Sequence, residues 1–308
     1  MRILITGGAG TLGSSIADRF QNQNIEFFIV DNFETGNLKN IQNIRKDSWD
    51  ELDILDEKEL KKVFKDFKPN CIIHSAASYK DPNNWIRDAE VNILGSIKIA
   101  ELSKRYNVEK IINFQTALCY GRPKENPIKI DHSIDTFSSY GISKAFGESY
   151  LLQHKIPTIS LRLANICSKN LAIGPIPTFY NRIKEGKECF ISDSYRDFLD
   201  FDDFYELLIK VIKLRVNKSK IFNVSTGISS HISEIFNIVK KYLKKNNLSA
   251  PIKPIGSDDI FDTTMDSSLT ERTFNWYPKV GLEEMIHKQL QFYEKEPVKK
   301  IFSHLKNE

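Results

Sequence analysis

The sequence has no apolar run near the roughly 18 residues that a membrane-crossing helix needs, so no membrane partner is expected. Its first apolar stretch, Ile3 to Ile5, ends at once in glycines, and nothing at the start reads as a secretory leader. Cysteine is scarce: Cys71, Cys119, Cys167 and Cys189 stand far apart, and no C-x-x-C pair is present. That spacing argues against a zinc site, so no metal is expected. It reads instead as free thiols buried in a reducing, cytoplasmic setting. Concentrated charge is missing too. The net charge of +4 is spread over many lysines, whereas a nucleic-acid partner would demand a basic stripe or a recognised motif. The densest basic run, KKYLKKNNL from Lys240, reads as the solvated face of an amphipathic helix. An apolar content of 41% is that of an ordinary globular protein and argues against disorder and coiled coil alike.

What is present is a rhythm. RILIT, IEFFIV, CIIHSA, KIINFQ and TISLRL are short, Ile-rich and followed by polar or glycine-containing turns. Between them lie helical candidates at 12–23, 57–67, 86–105 and 140–154. Near-continuous apolar strands alternating with helices predict an α/β fold, a doubly wound parallel sheet covered on both faces. After Leu163 the segments shorten, and Pro175, Pro177, Gly174 and Gly186 interrupt them, with Pro157 standing just ahead of the last Ile-rich run. Helical stretches are expected at 204–214, 232–245 and 282–293, with IFNVST as a late strand returning to the sheet. The chain is long enough for one large core and a smaller lobe. The division expected is 1–164 as the dinucleotide-binding domain, with returning segments near 197–230, and 165–308 mainly as the substrate-binding lobe.

The first strand runs into Thr6-Gly7-Gly8-Ala9-Gly10-Thr11-Leu12-Gly13 and then a helix. Gly7, Gly10 and Gly13 have the G-x-x-G-x-x-G spacing of a turn that must approach a pyrophosphate closely and pack its helix on the strand. The helix start offers N–H groups and a positive dipole end to phosphate. Asp31 ends the second strand, where a carboxylate can accept both ribose hydroxyls of NAD and repel the 2′-phosphate of NADP. Asp53-Ile54 is placed either to meet the adenine or, through Asp53, to cap the helix that starts near Glu57.

Tyr140-Gly141-Ile142-Ser143-Lys144 puts Tyr140 and Lys144 four apart, on one helical face. The ammonium can lower the phenol pKa and hold a ribose, and the phenolate can take a proton from a sugar hydroxyl as hydride leaves. Thr116, closing the fifth strand, can hydrogen-bond the same hydroxyl.

With these motifs the chain resembles, over nearly its whole length, the extended short-chain dehydrogenase/reductases of the NAD-dependent epimerase/dehydratase family, built on a Rossmann sheet. The resemblance implies Thr116, Tyr140 and Lys144 as the catalytic triad. It implies Thr11, Leu12, Asp31, Asn32, Asp53, Ile54, Ala76, Ala77 and Asn92 around NAD. For the substrate it implies Asn165 near the sugar diphosphate, Arg196 on the phosphates, and Phe179 and Phe190 around the base. An arginine fork suits phosphate oxygens; the alternative for Arg196 is a surface ion pair with Asp197 or Asp200. Lys80 meets either a phosphate, a sugar carboxylate or solvent. Asp31-Asn32-Phe33 with Gly36 is similar to the loop of UDP-glucose 4-epimerases, and FQTALCYGRP, LRLANI, IGPIPTFY and RDFLDFDDF resemble a bacterial O-antigen or capsule subgroup related to uronic-acid-type 4-epimerases.

Two features depart from the family. Gln115-Thr116 keeps the hydroxyl but changes its neighbour, and Ile255-Gly256-Ser257-Asp258-Asp259 stands where many relatives carry a second phosphate-binding arginine. An aspartate there could accept guanine N1–H and N2–H, which leaves GDP-linked as well as UDP-linked sugars open. The leading expectation is a 4-epimerase. The alternatives are a net 4-dehydrogenase on a GDP-mannose or GDP-heptose type of substrate, and a nucleotide-binding paralogue without catalysis. A dehydratase is disfavoured because Ala117-Leu118 supplies no acidic pair. The family further implies a homodimer, with the 86–105 and 140–154 helices packed as a four-helix bundle.

Overall fold

The computed structural model describes residues 1–79, 81–256 and 259–296. In chain order its first half comprises β1 (Ile3–Thr6), α1 (Thr11–Asn22), β2 (Phe27–Asp31), β3 (Trp49–Glu51), α2 (Glu57–Phe67), β4 (Cys71–His74), α3 (Trp85–Asp88), α4 (Ser96–Arg105), β5 (Lys110–Thr116), α5 (Ser139–Gln153) and β6 (Thr158–Leu163). The second half adds β7 (Asn165–Cys167), α6 (Pro175–Lys184), β8 (Ile191–Ser192), β9 (Tyr195–Arg196), β10 (Phe198–Asp200), α7 (Phe201–Lys213), β11 (Lys220–Val224), β12 (Ser230–His231), α8 (Ile232–Tyr242), β13 (Ile252–Lys253), α9 (Ser268–Phe274) and α10 (Leu282–Lys295).

Seven strands form one parallel sheet in the order β11-β6-β5-β4-β1-β2-β3. The Ile-rich runs explain its cohesion. Ile29, Ile5, Ile73, Ile112 and Ile159 face one another across neighbouring strands, forming a single buried row. Both faces are covered, as continuous apolar strands require. One face packs with α1 and α7, through Ile16, Phe20, Phe204, Leu207 and Leu208. The other packs with α2 and α4, through Leu60, Phe64, Ile99 and Leu102. The smaller lobe has its own core, where Ile176, Phe179, Tyr180, Ile235, Phe236, Ile286 and Leu290 of α6, α8 and α10 meet. IFNVST returns as β11 beside β6.

The expected 86–105 helix is not one α-helix. Between α3 and α4 the segment Ala89–Gly95 is π-helical, so an extra residue is inserted without breaking the rod. Several pairings in the second half involve strands of only two or three residues, joined to partners far along the chain. Among the described residues, no helix is long and apolar enough to cross a membrane. All four cysteines are buried and unbridged, and burial pushes the Cys71 thiol up to about 12.

Candidate active site

The strand order reverses at β1, whose neighbours are β4 on one side and β2 on the other. A crevice therefore opens at the carboxyl ends of these strands, the position where open α/β sheets hold ligands. Gly7 leaves β1 with φ +69°, and a Cβ there would stand 2.6 Å from the Ala76 backbone. Only glycine serves at that point. Gly10 then precedes α1, which has no capping side chain and no acidic residue in its first turn. Its leading N–H groups and dipole suit an anion.

Asp31, Asn32, Asp53, Ile54, Ala76 and Ala77 line one cleft of about 440 Å³ together with Gly7. Asp31 is buried; its carboxylate accepts the Ala9 and Phe33 N–H groups, each at 2.8 Å. Burial raises its pKa above the ordinary carboxylate value, against the pull of those two donors. Asp53 is held the other way. Burial disfavours its charge, but Arg87, the Leu55 N–H and Asn32 together outweigh that and keep its carboxyl low. The cap of α2 is Asp56, which accepts from Lys58 and Glu59 N–H, so Asp53 is left to the cleft. A glycine cradle closed to any Cβ, an uncapped helix start and a ribose-side carboxylate fit a dinucleotide.

Thr11 and Leu12 open α1, so the leading N–H groups are theirs, while their side chains are engaged elsewhere. The Thr11 hydroxyl donates to the Asn170 carbonyl at 3.0 Å, tying α1 to the lobe, and Leu12 packs on the sheet core. Asn92 lies in the π-helical segment and is buried. Its amide accepts from Ser78 N–H and donates to the Ser78 carbonyl and the Ser143 hydroxyl. It thereby stitches the loop after β4 to α5.

On α5, Ser138 caps the start by accepting the Gly141 N–H. Lys144 is buried and donates to the Phe114 carbonyl at 2.7 Å; burial lowers its pKa to about 8. Gln115 bridges α5 and the strand end: its amide nitrogen donates to the Lys144 carbonyl, and its oxygen accepts the Thr116 N–H. The Thr116 hydroxyl accepts the Leu118 N–H. A Cβ on Gly141 would lie 3.0 Å from the Leu118 carbonyl, so the Thr116 turn and the Tyr140 end of α5 abut. The expected lowering of the Tyr140 phenol is not found. Burial, reinforced by Tyr79 and the Asp88 carboxylate, raises it, while Lys144 is engaged with Phe114.

Asp88 and Arg87 were not singled out from the sequence, since neither belongs to a motif. Asp88 is buried and accepts from the Ser78 and Ser139 hydroxyls, each at 2.7 Å.

In the lobe, Asn165 is exposed at the start of β7 and donates to the Asp197 carbonyl. Arg196 pairs with neither Asp197 nor Asp200. Its guanidinium is bound to Asp259 and to the Tyr195 and Ile260 carbonyls. Asp197 instead accepts from Thr226 and Gly227. Phe179 is a packing residue, 3% exposed and edge-on to Phe236, which corrects its expected place beside a base. Phe190 is 53% exposed, with Lys253 over its ring at 4.5 Å. Lys80, Ser257 and Asp258 lie outside the described residues.

A profile of the NAD dependent epimerase/dehydratase family matches residues 3–225. The crystal structure of Bordetella bronchiseptica WbmG in complex with NAD has a TM-score of 0.91 and 44% identity, over 99% of this chain and 98% of that one. The same enzyme is known in complex with NAD and UDP. Bordetella bronchiseptica WbmH, in complex with NAD+, has a TM-score of 0.90 and 30% identity, over 96% and 99%. In sequence, the UDP-glucose 4-epimerase of Mycolicibacterium smegmatis is 26% identical over 321 residues, covering 95% of this chain and 98% of the relative. The chain belongs to the NAD dependent epimerase/dehydratase family and is an NAD-using enzyme.

Proposed function

We propose that the protein is a 4-epimerase of a UDP-linked sugar, of uronic-acid type, serving bacterial O-antigen or capsule synthesis in the cytoplasm. The observation that carries this reading is the abutment of the Thr116 turn on the Tyr140–Lys144 helix, which Asn92 ties through Ser143 to Ser78 of the dinucleotide cleft. NAD, when bound, takes hydride from C4 of the sugar and returns it. Tyr140, as the phenolate that a bound nicotinamide cation would favour over the raised phenol, accepts the proton of the C4 hydroxyl as its C–H bond breaks, and gives it back in the reverse step. Thr116 orients that hydroxyl, and Lys144 holds the ribose. One hydride and one proton leave the sugar and both return, so no outside oxidant is consumed; the 4-keto sugar must present its other face in between.

WbmG binds UDP, which supports uridine as the base. Asp259, the carboxylate that opened the guanine alternative, has one oxygen committed to Arg196 and the Ile260 N–H. Asn165 and Phe190 are the lobe residues left facing outward for the nucleotide sugar, and Arg196 reaches a phosphate only by sharing its guanidinium with Asp259. Trp85, Ile86, Leu94, Phe146 and Tyr150 leave an exposed apolar face on α3, the π-helical segment and α5, which supports a homodimer through these helices.

The test is to incubate purified protein with UDP-glucose, UDP-N-acetylglucosamine and their uronic acids. Sugar configuration is followed by proton NMR, and NAD(H) released on denaturation is quantified. Interconversion without added NAD, and its loss in Tyr140→Phe with NAD still bound, is the expected result. Accumulation of NADH with a 4-keto product would replace the reading by a net dehydrogenase, and full turnover in Tyr140→Phe would overturn the proton-transfer scheme.

A further inference from the structure

Arg87 stands where three chain segments meet at the cleft that the site reading assigns to the adenosine half of NAD. Its Nη2 donates to Glu34 at 2.6 Å and to Asp53 at 2.8 Å, and its Nε donates to Glu34 at 3.0 Å. Glu34 belongs to the loop after β2, Asp53 to the loop after β3, and Arg87 to α3. Glu34 and Asp53 both line the cleft, as does Val91, one turn beyond Arg87. Asn32 extends the cluster by donating to Asp53 at 2.9 Å. The side-chain exposures place the cluster at the rim: 20% for Arg87, 42% for Glu34 and 32% for Asp53, against a buried Asp31. The Nε–Nη2 edge holds one oxygen of Glu34 while Nη2 is shared with Asp53 and Nη1 lies 3.5 Å from Glu90, a planar arrangement that a lysine's point charge could not reproduce.

We propose that Arg87, with Glu34 and Asp53, is an ionic clasp that fastens the rim of the adenosine cleft and slows the escape of NAD. The inference rests on the NAD site but not on the sugar chemistry. An enzyme that removes and returns the same hydride gains from a cofactor that stays through many turnovers, and the clasp is a rim fastening that must open before the adenosine end can leave. Because the pairs are partly exposed, salt weakens them.

The experiment loads the full-length protein with radiolabelled NAD, removes free label, and chases with excess unlabelled NAD at 0.05 and 0.5 M NaCl. No sugar is needed, so failure here is distinct from failure of the epimerase reading. Release from the wild type should accelerate with salt. Arg87→Met should release label roughly 10-fold faster at low salt, as the loss of several partly exposed ion pairs of modest worth implies, and should have lost most of the salt response. Glu34→Gln, a milder change that retains the side chain's shape, should shift in the same direction, and Arg87→Lys should fall between. Wild-type release rates in both Arg87→Met and Glu34→Gln would overturn the clasp, as would a wild-type rate indifferent to salt.

Discussion

Lowering the pH from 7.5 to 5 should remove about 2 kcal/mol of stability through His74 alone. His74 closes β4 and is buried between β1 and α4. Its Nδ1 lies 2.8 Å from the Thr6 hydroxyl and its Nε2 lies 3.1 Å from the Ser96 hydroxyl. Ser96 gives its own hydrogen to the Asn92 carbonyl at 2.7 Å. Nε2 must therefore carry the ring proton, and Nδ1 must accept from Thr6. Burial first, and the Lys144 charge second, lower the imidazole pKa to about 3. With an unfolded value near 6.5, the unfolded chain gains a proton below that pH and the folded one does not, so stability falls with pH down to about 3. At pH 5 the gap of about 1.5 units below the unfolded pKa, at 1.36 kcal/mol per unit, gives the stated figure. Buried carboxylates such as Asp197, raised to about 6 by burial, act in the opposite direction. Urea unfolding at both pH values, in wild type and His74→Gln, cancels those shared terms. The wild type should lose about 2 kcal/mol more than the variant. Equal losses would refute the argument that a neutral imidazole is built into the floor of the crevice.

Lys144 gives a second pH signature. From about 8 upward the folded lysine loses the proton that the unfolded chain retains to about 10.5, so stability should rise with pH there while NAD affinity and turnover fall; titrating both on one sample checks the opposed signs. Gly147→Ala should cost about 3 kcal/mol in chemical denaturation and depress turnover, because the new Cβ would meet the Asn92 carbonyl at 2.1 Å and push α5 off its neighbour. Phe146, 57% exposed on α5, should be an interface residue: Phe146→Asp should convert a dimer to a monomer in light scattering with NAD content retained.

The layered fold was legible because strands covered on both faces must be apolar throughout, and the Ile-rich runs could be little else. Glycine spacing, Asp31 and the Tyr140–Lys144 interval were legible for a related reason, since each is a local pattern with a stereochemical task. Contacts between distant segments were not. Arg196 and Asp259 are 63 residues apart, and nothing near Arg196 in the chain distinguishes that partner from Asp197 or Asp200. Phe179 and Phe190 are both aromatics of the same lobe; only packing decides that one is core and the other is surface. The raised Tyr140 phenol arises from burial and from Tyr79 and Asp88, each more than 50 residues away in sequence. Arg87 sits within an ordinary amphipathic pattern and carries no motif.

The π-helical segment Ala89–Gly95 takes up one residue while the helix on either side keeps its phase. If the same residues wound as regular α-helix, everything on the N-terminal side would turn by about 100° about the helix axis. Arg87 would then leave Glu34 and Asp53, and Asp88 would leave Ser78 and Ser139, with no amino acid among them changed. Deleting one residue of the segment lets the wide turn close with both flanks in place, so a deletion should be better tolerated here than elsewhere along the same rod.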